Sequence, residues 1–199
     1  MKKFIFLILV FYIFSSHHGL NATIVFENIK IKSPNGKIIM TVNSLGGALT
    51  YRVNFRNKAV IEQSSLGFKT NFKEIGKNAE PGKKEIYKVD ETYPWRGVHS
   101  LAKNQCNGVK ISITENNTPW TLEVKVFNDG IAFRYLFGVQ RNDSVIADKT
   151  TFVIPTGSIV WSQNNIKSYE GKYKSQLIDS IKCGEIAGPP ITIHQSIKI

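Results

Sequence analysis

The side chains able to do chemistry in this sequence are few, and their spacing rules out more than it offers. General acid–base work with paired carboxylates needs two carboxyl groups facing one bond. The acids that lie near one another, Asp129 with Glu123 and Glu185 with Asp179, sit in patterns that read as strand or turn. His99 and His194 are the only histidines beyond the first 22 residues. They are too far apart in sequence for a zinc motif, and no Ser, His and acid order suggests a triad. Cys106 and Cys183 fit no metal spacing and have no neighbouring histidine to activate a thiolate, though an oxidising compartment would permit a bridge between them. Gly46-Gly47 has no following helix to make a phosphate loop. Trp95, Arg96 and Trp161 carry side chains suited to contact with a partner: an aromatic ring stacks on flat apolar faces, and a guanidinium gives planar, bidentate hydrogen bonds to hydroxyls or carboxylates. Tryptophan in a sandwich more often packs in a core or against a neighbouring domain.

These residues must be positioned by strands. The stretch IVFENIKIKS alternates and stops at Ser33-Pro34-Asn35-Gly36. KIIMTVNS follows, then Gly46-Gly47, then ALTYRVNFRNKAVIE, which reverses at Arg56-Asn57-Lys58. This is the signature of a β-meander. From Val109, three strands are broken at Glu115–Pro119 and at Asn128-Asp129-Gly130. A hairpin closing at the second break puts Val124, Val126, Ile131, Phe133 and Tyr135 on one face. The lysine-rich segment from Phe72 to Asp90 lacks sustained periodicity and reads as a surface loop with one strand at EIYKV, and Cys106 reads as lying in a loop. No stretch holds a helical period over three turns. The expectation is an all-β, large antiparallel sandwich.

Residues 1–22 have the layout of a secretory signal peptide: Lys2 and Lys3, the apolar run Phe4–Phe14, then SSHHGLNA with cleavage expected after Ala22. Eleven apolar residues span about 16 Å as a helix, half of a bilayer's hydrocarbon, so no membrane anchor is expected after cleavage. The expected location is periplasmic or secreted, with residues 23–199 as one domain. Of 26 basic and 15 acidic side chains, removal of the leader leaves 24 against 15, a formal charge of +9. Those charges are scattered through turns and strand faces instead of being concentrated on one element, which argues against nucleic acid as a partner.

Five strings in order, SPNGK (33–37), LTYRVNFRNKAVIEQSSLGF (49–68), YPWRG (93–97), FNDGIAFRYLF (127–137) and VWSQNNIKSYEGKY (160–173), resemble the N-terminal domain of glycoside hydrolase family 97. The resemblance implies a β-super-sandwich similar to galactose mutarotase, possibly incomplete at its C-terminus. In full-length members that sandwich packs on a catalytic (β/α)₈ barrel which hydrolyses α-glucosides or α-galactosides and supplies both catalytic carboxylates. It implies oligosaccharide and barrel as partners, no catalytic residue in this chain, and calcium as cofactor, with Glu170 lending one oxygen to a site whose other ligands belong to the barrel. Calcium takes six to eight oxygens, so one glutamate holds it weakly or not at all alone. Trp95, Arg96 and Trp161 become candidates for a substrate or domain interface. Family members usually carry an acid soon after the glycine of YPWRG, where this sequence has Val98 and His99.

Overall fold

The computed structural model describes residues 28–138, 144–168 and 170–195. The leader, the cleavage position and the last four residues lie outside these. Fourteen strands and one 3₁₀ turn, Ile178–Ser180, make up the regular structure among the described residues.

The meander forms as the sequence indicates. Strands β1 (Ile29–Lys32), β2 (Ile38–Leu45), β3 (Ala48–Phe55) and β4 (Lys58–Ser65) pair antiparallel in chain order. Two of its turns need positive φ at both central positions, the condition for a two-residue hairpin that matches strand twist. Gly46 and Gly47 supply it without strain, and Arg56 (φ 48°) and Asn57 (φ 66°) adopt it as L-residues. Behind the meander lies a second sheet ordered β10-β9-β8-β7, built from β7 (Glu80–Pro94), β8 (Leu101–Glu115), β9 (Thr118–Phe127) and β10 (Ile131–Phe137). Its last hairpin has the expected register, with Ile131 opposite Val126 and Phe133 opposite Val124.

Between these two sheets lies the core. Met40, Val42, Tyr51, Ile111, Leu122, Val124 and Val126 are fully shielded from solvent. Fully burying each such side chain stabilises the fold by roughly 1.5–3 kcal/mol, before the conformational entropy of ordering it is subtracted. A small sheet, β11 (Val145–Asp148), β5 (Phe68–Thr70) and β6 (Glu74–Ile75), closes one end, with Phe68 and Ile75 in the same core.

The structure corrects the sequence reading in one region. The segment Phe72–Asp90, expected to be a loop with one strand at EIYKV, contains β6 and most of β7, of which that strand is only a part, and Cys106 is in β8, not in a loop. Strands β7 and β8 pair from Glu80↔Thr114 to Pro94↔Leu101. Most of β7 is exposed, so no alternation marks it, and its pairing with β8 makes it a strand. Cys106 is buried, Cys183 is exposed, and both are free thiols.

A fourth sheet, ordered β13-β12-β14, comprises β12 (Ile159–Gln163), β13 (Lys174–Leu177) and β14 (Gly188–His194). Gln195 Nε2, just past β14, donates to Val60 O of β4 at 3.2 Å. Between β4 and this sheet is an apolar cavity of about 750 Å³, walled by Val60, Ile61, Ile154, Val160, Ile191 and Ile193.

Candidate functional site

Trp161 occupies the middle of β12, opposite Ser175 of β13 and Thr192 of β14. Its neighbours across the ladder are small, and the indole is 46% exposed. Past Gln163 the chain leaves the sheet in a loop that returns at Lys174 and carries Glu170, which is exposed. The loop is organised by short polar side chains. Gln163 Oε1 accepts the Asn165 N–H at 2.5 Å, and Asn165 Nδ2 donates to Ser168 Oγ at 2.8 Å.

Gln163 is itself buried, and its amide is seated beside two glycines. A Cβ on Gly171 would stand 2.5 Å from Gln163 Oε1, and one on Gly188 would stand 2.7 Å from its Nε2. Because Gly171 follows Glu170 directly, the glutamine amide fixes where the backbone at the base of that acid runs. Tyr173, at the end of the loop, donates its hydroxyl to Pro190 O at 3.3 Å. Trp161 thus lies on β12 and Glu170 on the loop that follows it.

Trp95 and Arg96 are elsewhere, at the tip of the long β7–β8 hairpin, which the Trp95 N–H closes by donating to Ser100 O at 3.0 Å. The Trp95 ring is 61% exposed and meets Tyr93 edge-on, with centroids 6.2 Å apart. Arg96 is exposed, and Val98 and Leu101 add apolar surface to the same tip.

Two carboxylates that the sequence did not single out for structural roles are buried instead. Glu115, at the end of β8, accepts three backbone N–H groups, from Gly76 (2.8 Å), Lys77 (2.9 Å) and Asn78 (2.8 Å). Glu123, on the outer face of β9, accepts the Tyr87 hydroxyl at 2.7 Å and Arg134 Nε at 2.5 Å. The Tyr87 hydrogen bond and the Arg134 guanidinium hold its carboxyl below the usual range despite burial. Neither role had a sequence signal: Glu115 reads as the start of a strand break, and Glu123 as a polar residue alternating with Leu122 and Val124. Among the described residues, no three His, Cys, Asp or Glu side chains gather as a metal site.

Residues 31–199 match the family model described as Glycosyl-hydrolase 97 N-terminal. The chain belongs to that family. Two curated relatives are a retaining alpha-galactosidase of Bacteroides thetaiotaomicron, 26% identical over 78% of this chain, and a probable retaining alpha-galactosidase of Streptomyces bingchenggensis, 25% identical over 61%. The chain spans only 23% and 19% of their lengths. Among solved structures, a family 97 enzyme of Pseudoalteromonas sp. strain K8 in complex with panose superposes with a TM-score of 0.68 at 20% identity, covering 74% of this chain and 24% of the enzyme. A beta-arabinopyranosidase does so with the same score at 22% identity, covering 74% and 26%. These likenesses establish the β-sandwich of the family 97 N-terminal domain as the fold of this chain.

Proposed function

We propose that this chain is a carbohydrate-binding and docking module of an exported α-glycosidase of the α-glucosidase or α-galactosidase type, without turnover of its own. The observation that carries the reading is the pairing of family membership with an exposed Trp161 and an exposed Glu170 on one sheet and its loop. An indole presented this way offers a stacking face for a pyranose or a packing face for a barrel. Glu170 then lends one oxygen to a calcium ion whose remaining ligands come from that barrel. Trp95 and Arg96 provide a second contact at the hairpin tip. The partners are oligosaccharide and a family 97 catalytic barrel, and the signal-peptide pattern at residues 1–22 supports periplasmic or secreted delivery.

The absence of turnover is supported by what the buried acids do. Hydrolysis needs one carboxyl to protonate the leaving oxygen and another to attack or to activate water, both beside the substrate. Glu115 and Glu123 are each committed to holding strands together, and Glu170 is a solvated loop acid. A second reading, a subunit completed by a separately encoded barrel, rests on the same surfaces and differs only in how the barrel is supplied.

The test is to assay the purified chain against aryl α-glucoside and aryl α-galactoside with calcium, alone and mixed with a family 97 barrel. The chain alone should give no hydrolysis. Turnover that disappears on mutating one of its own acids overturns the non-catalytic assignment. In the mixture, Glu170→Gln should raise the calcium concentration needed for activity, and an unchanged requirement removes Glu170 from the metal shell.

A further inference from the structure

The two main sheets do not end together at one side of the sandwich. Strand β1, at the edge of the meander, packs over β8 and β9, whereas the second sheet runs one strand further, to β7. Ile86 of β7 pairs with Val109 of β8 and so shares the face that Val109 turns to the core. Val109 is buried there, but Ile86 is 78% exposed. An apolar side chain on the inner face of a sandwich sheet normally has a strand of the opposite sheet above it. The groove along this step holds about 190 Å³, and Ile31, Ile86 and Val109 line it.

One wall of the groove is the open edge of β1. The Ser33 N–H donates to Ile38 O at 2.9 Å, so these two form a hydrogen-bonded pair, and alternation along the antiparallel ladder makes Ile31↔Met40 and Ile29↔Val42 the same kind. The N–H and C=O groups of Lys30 and Lys32 therefore point away from β2. One of them shows this directly, since Asn107 Nδ2 of β8 donates to Lys32 O at 2.8 Å. Lys30 thus offers both its N–H and its C=O on that edge, and Lys32 its N–H. The side chains of both lysines are exposed, and Lys88, opposite Asn107 on β7, adds a third ammonium to the groove. The next residue on that face of β7 is an acid, Asp90, which accepts Gln105 Nε2 at 3.0 Å.

We propose that β1 takes up an extended acidic segment of a partner protein as an added strand, which lies over β7. An antiparallel strand exchanges two backbone hydrogen bonds with Lys30 and accepts one from the Lys32 N–H. Its side chains turn alternately inward onto Ile86 and outward beside Lys30 and Lys32. Acids at the outward positions face both ammonium groups across the ladder, where opposite charges attract and like charges repel. That charge selects the occupant. A second copy of β1 brings lysines against lysines, and lysine on an edge strand is a regular guard against such self-pairing. A neutral apolar strand gains nothing from Lys30, Lys32 or Lys88. The edge is separate from Trp161 and Glu170, so the docking reading stands or falls without it.

The alternation along β1 supplies the readout. A short blocked peptide of alternating glutamate and valine is titrated into the ¹⁵N-labelled full chain, beside a peptide of alternating lysine and valine. The acidic peptide should give saturable downfield shifts of the Lys30 and Lys32 amide protons and slow their exchange with solvent, while Ile29 and Ile31, already bonded to β2, move less. Reversing both charges, Lys30→Glu with Lys32→Glu, should weaken the acidic peptide about tenfold and let the lysine peptide bind in its place. The melting temperature should hold, because both side chains are exposed. No saturable shift at Lys30 and Lys32 overturns the proposal, as does equal binding of the two peptides by the unaltered chain. The same alternating shifts on concentrating the chain without peptide also overturn it, in favour of pairing between copies.

Discussion

The ring of Tyr87 occupies the space that a side chain at Gly108 would need: a Cβ built there falls within contact distance of Cζ and both Cε atoms. The two residues face each other across the β7–β8 ladder. Because Gly108 is flat, Tyr87 reaches past β8 to give its hydroxyl to Glu123 on β9. Around that contact, Glu85, Lys110, Glu123 and Arg134 form one cross-strand row of alternating charge over four strands. Gly108→Ala should therefore displace the tyrosine and leave Glu123 short of a donor. We expect a loss of about 1–3 kcal/mol in urea unfolding, with Tyr87→Phe losing a comparable amount. A glycine substitution that proves neutral while Tyr87→Phe is costly would show that the ring has another route to Glu123.

The same carboxylate sets an acid limit. Its pKa is lowered, first by the Tyr87 hydrogen bond and then by Arg134. A folded-state value below the unfolded one means that the unfolded chain binds the proton more tightly, so this contribution is present above about pH 4.3 and fades as pH falls through the folded value. Glu123→Gln should flatten the acid arm of a stability-against-pH curve, measured by urea midpoints from about pH 6 to 3.

At the alkaline end the sign reverses. Burial raises the Tyr51 phenol to about 12, and Tyr87 and Tyr135 are raised too, chiefly by burial. Each stays protonated in the fold after its unfolded counterpart has ionised. Their stabilisation is complete below about pH 10 and declines above it. Ultraviolet titration of the phenolates should show these tyrosines ionising late, and together with global unfolding. Phenolates that all appear near pH 10 in a folded chain would contradict the burial.

Glu115 anchors the turn after β6 to the end of β8 by accepting from Gly76, Lys77 and Asn78. Glu115→Ala leaves three backbone donors unmet and should cost about 3 kcal/mol or more, whereas Glu115→Gln, which keeps one acceptor oxygen, should cost about half of that. Guanidinium unfolding distinguishes them. Near-equal losses would mean that side-chain volume matters here more than the hydrogen bonds.

The cavity between β4 and β14 should make the folded chain bind an apolar fluorophore such as anilinonaphthalene sulfonate. Ile193, which lines it at 38% exposure, can be replaced by Lys with a loss within about 1 kcal/mol. That variant should lose most of the fluorescence, and undiminished signal would place the dye elsewhere.

The sequence by itself determined the meander and the FNDG hairpin, because a buried sheet face imposes period-two alternation and, in the meander, the two-residue turns demand φ > 0. Both conditions are visible in residues such as Val124, Val126, Gly46 and Asn57. It also carried the family motifs and placed Trp161 and Glu170 close together along the chain. Strand β7 was legible only at EIYKV, since a strand exposed along most of its length has no pattern to show and exists through its long-range ladder to β8. The burial of Glu115 and Glu123 and the wedging of Gln163 between Gly171 and Gly188 were decided only by tertiary structure. Each depends on segments brought together across tens of residues, and which donor ends beside which acceptor follows from packing, not from local composition.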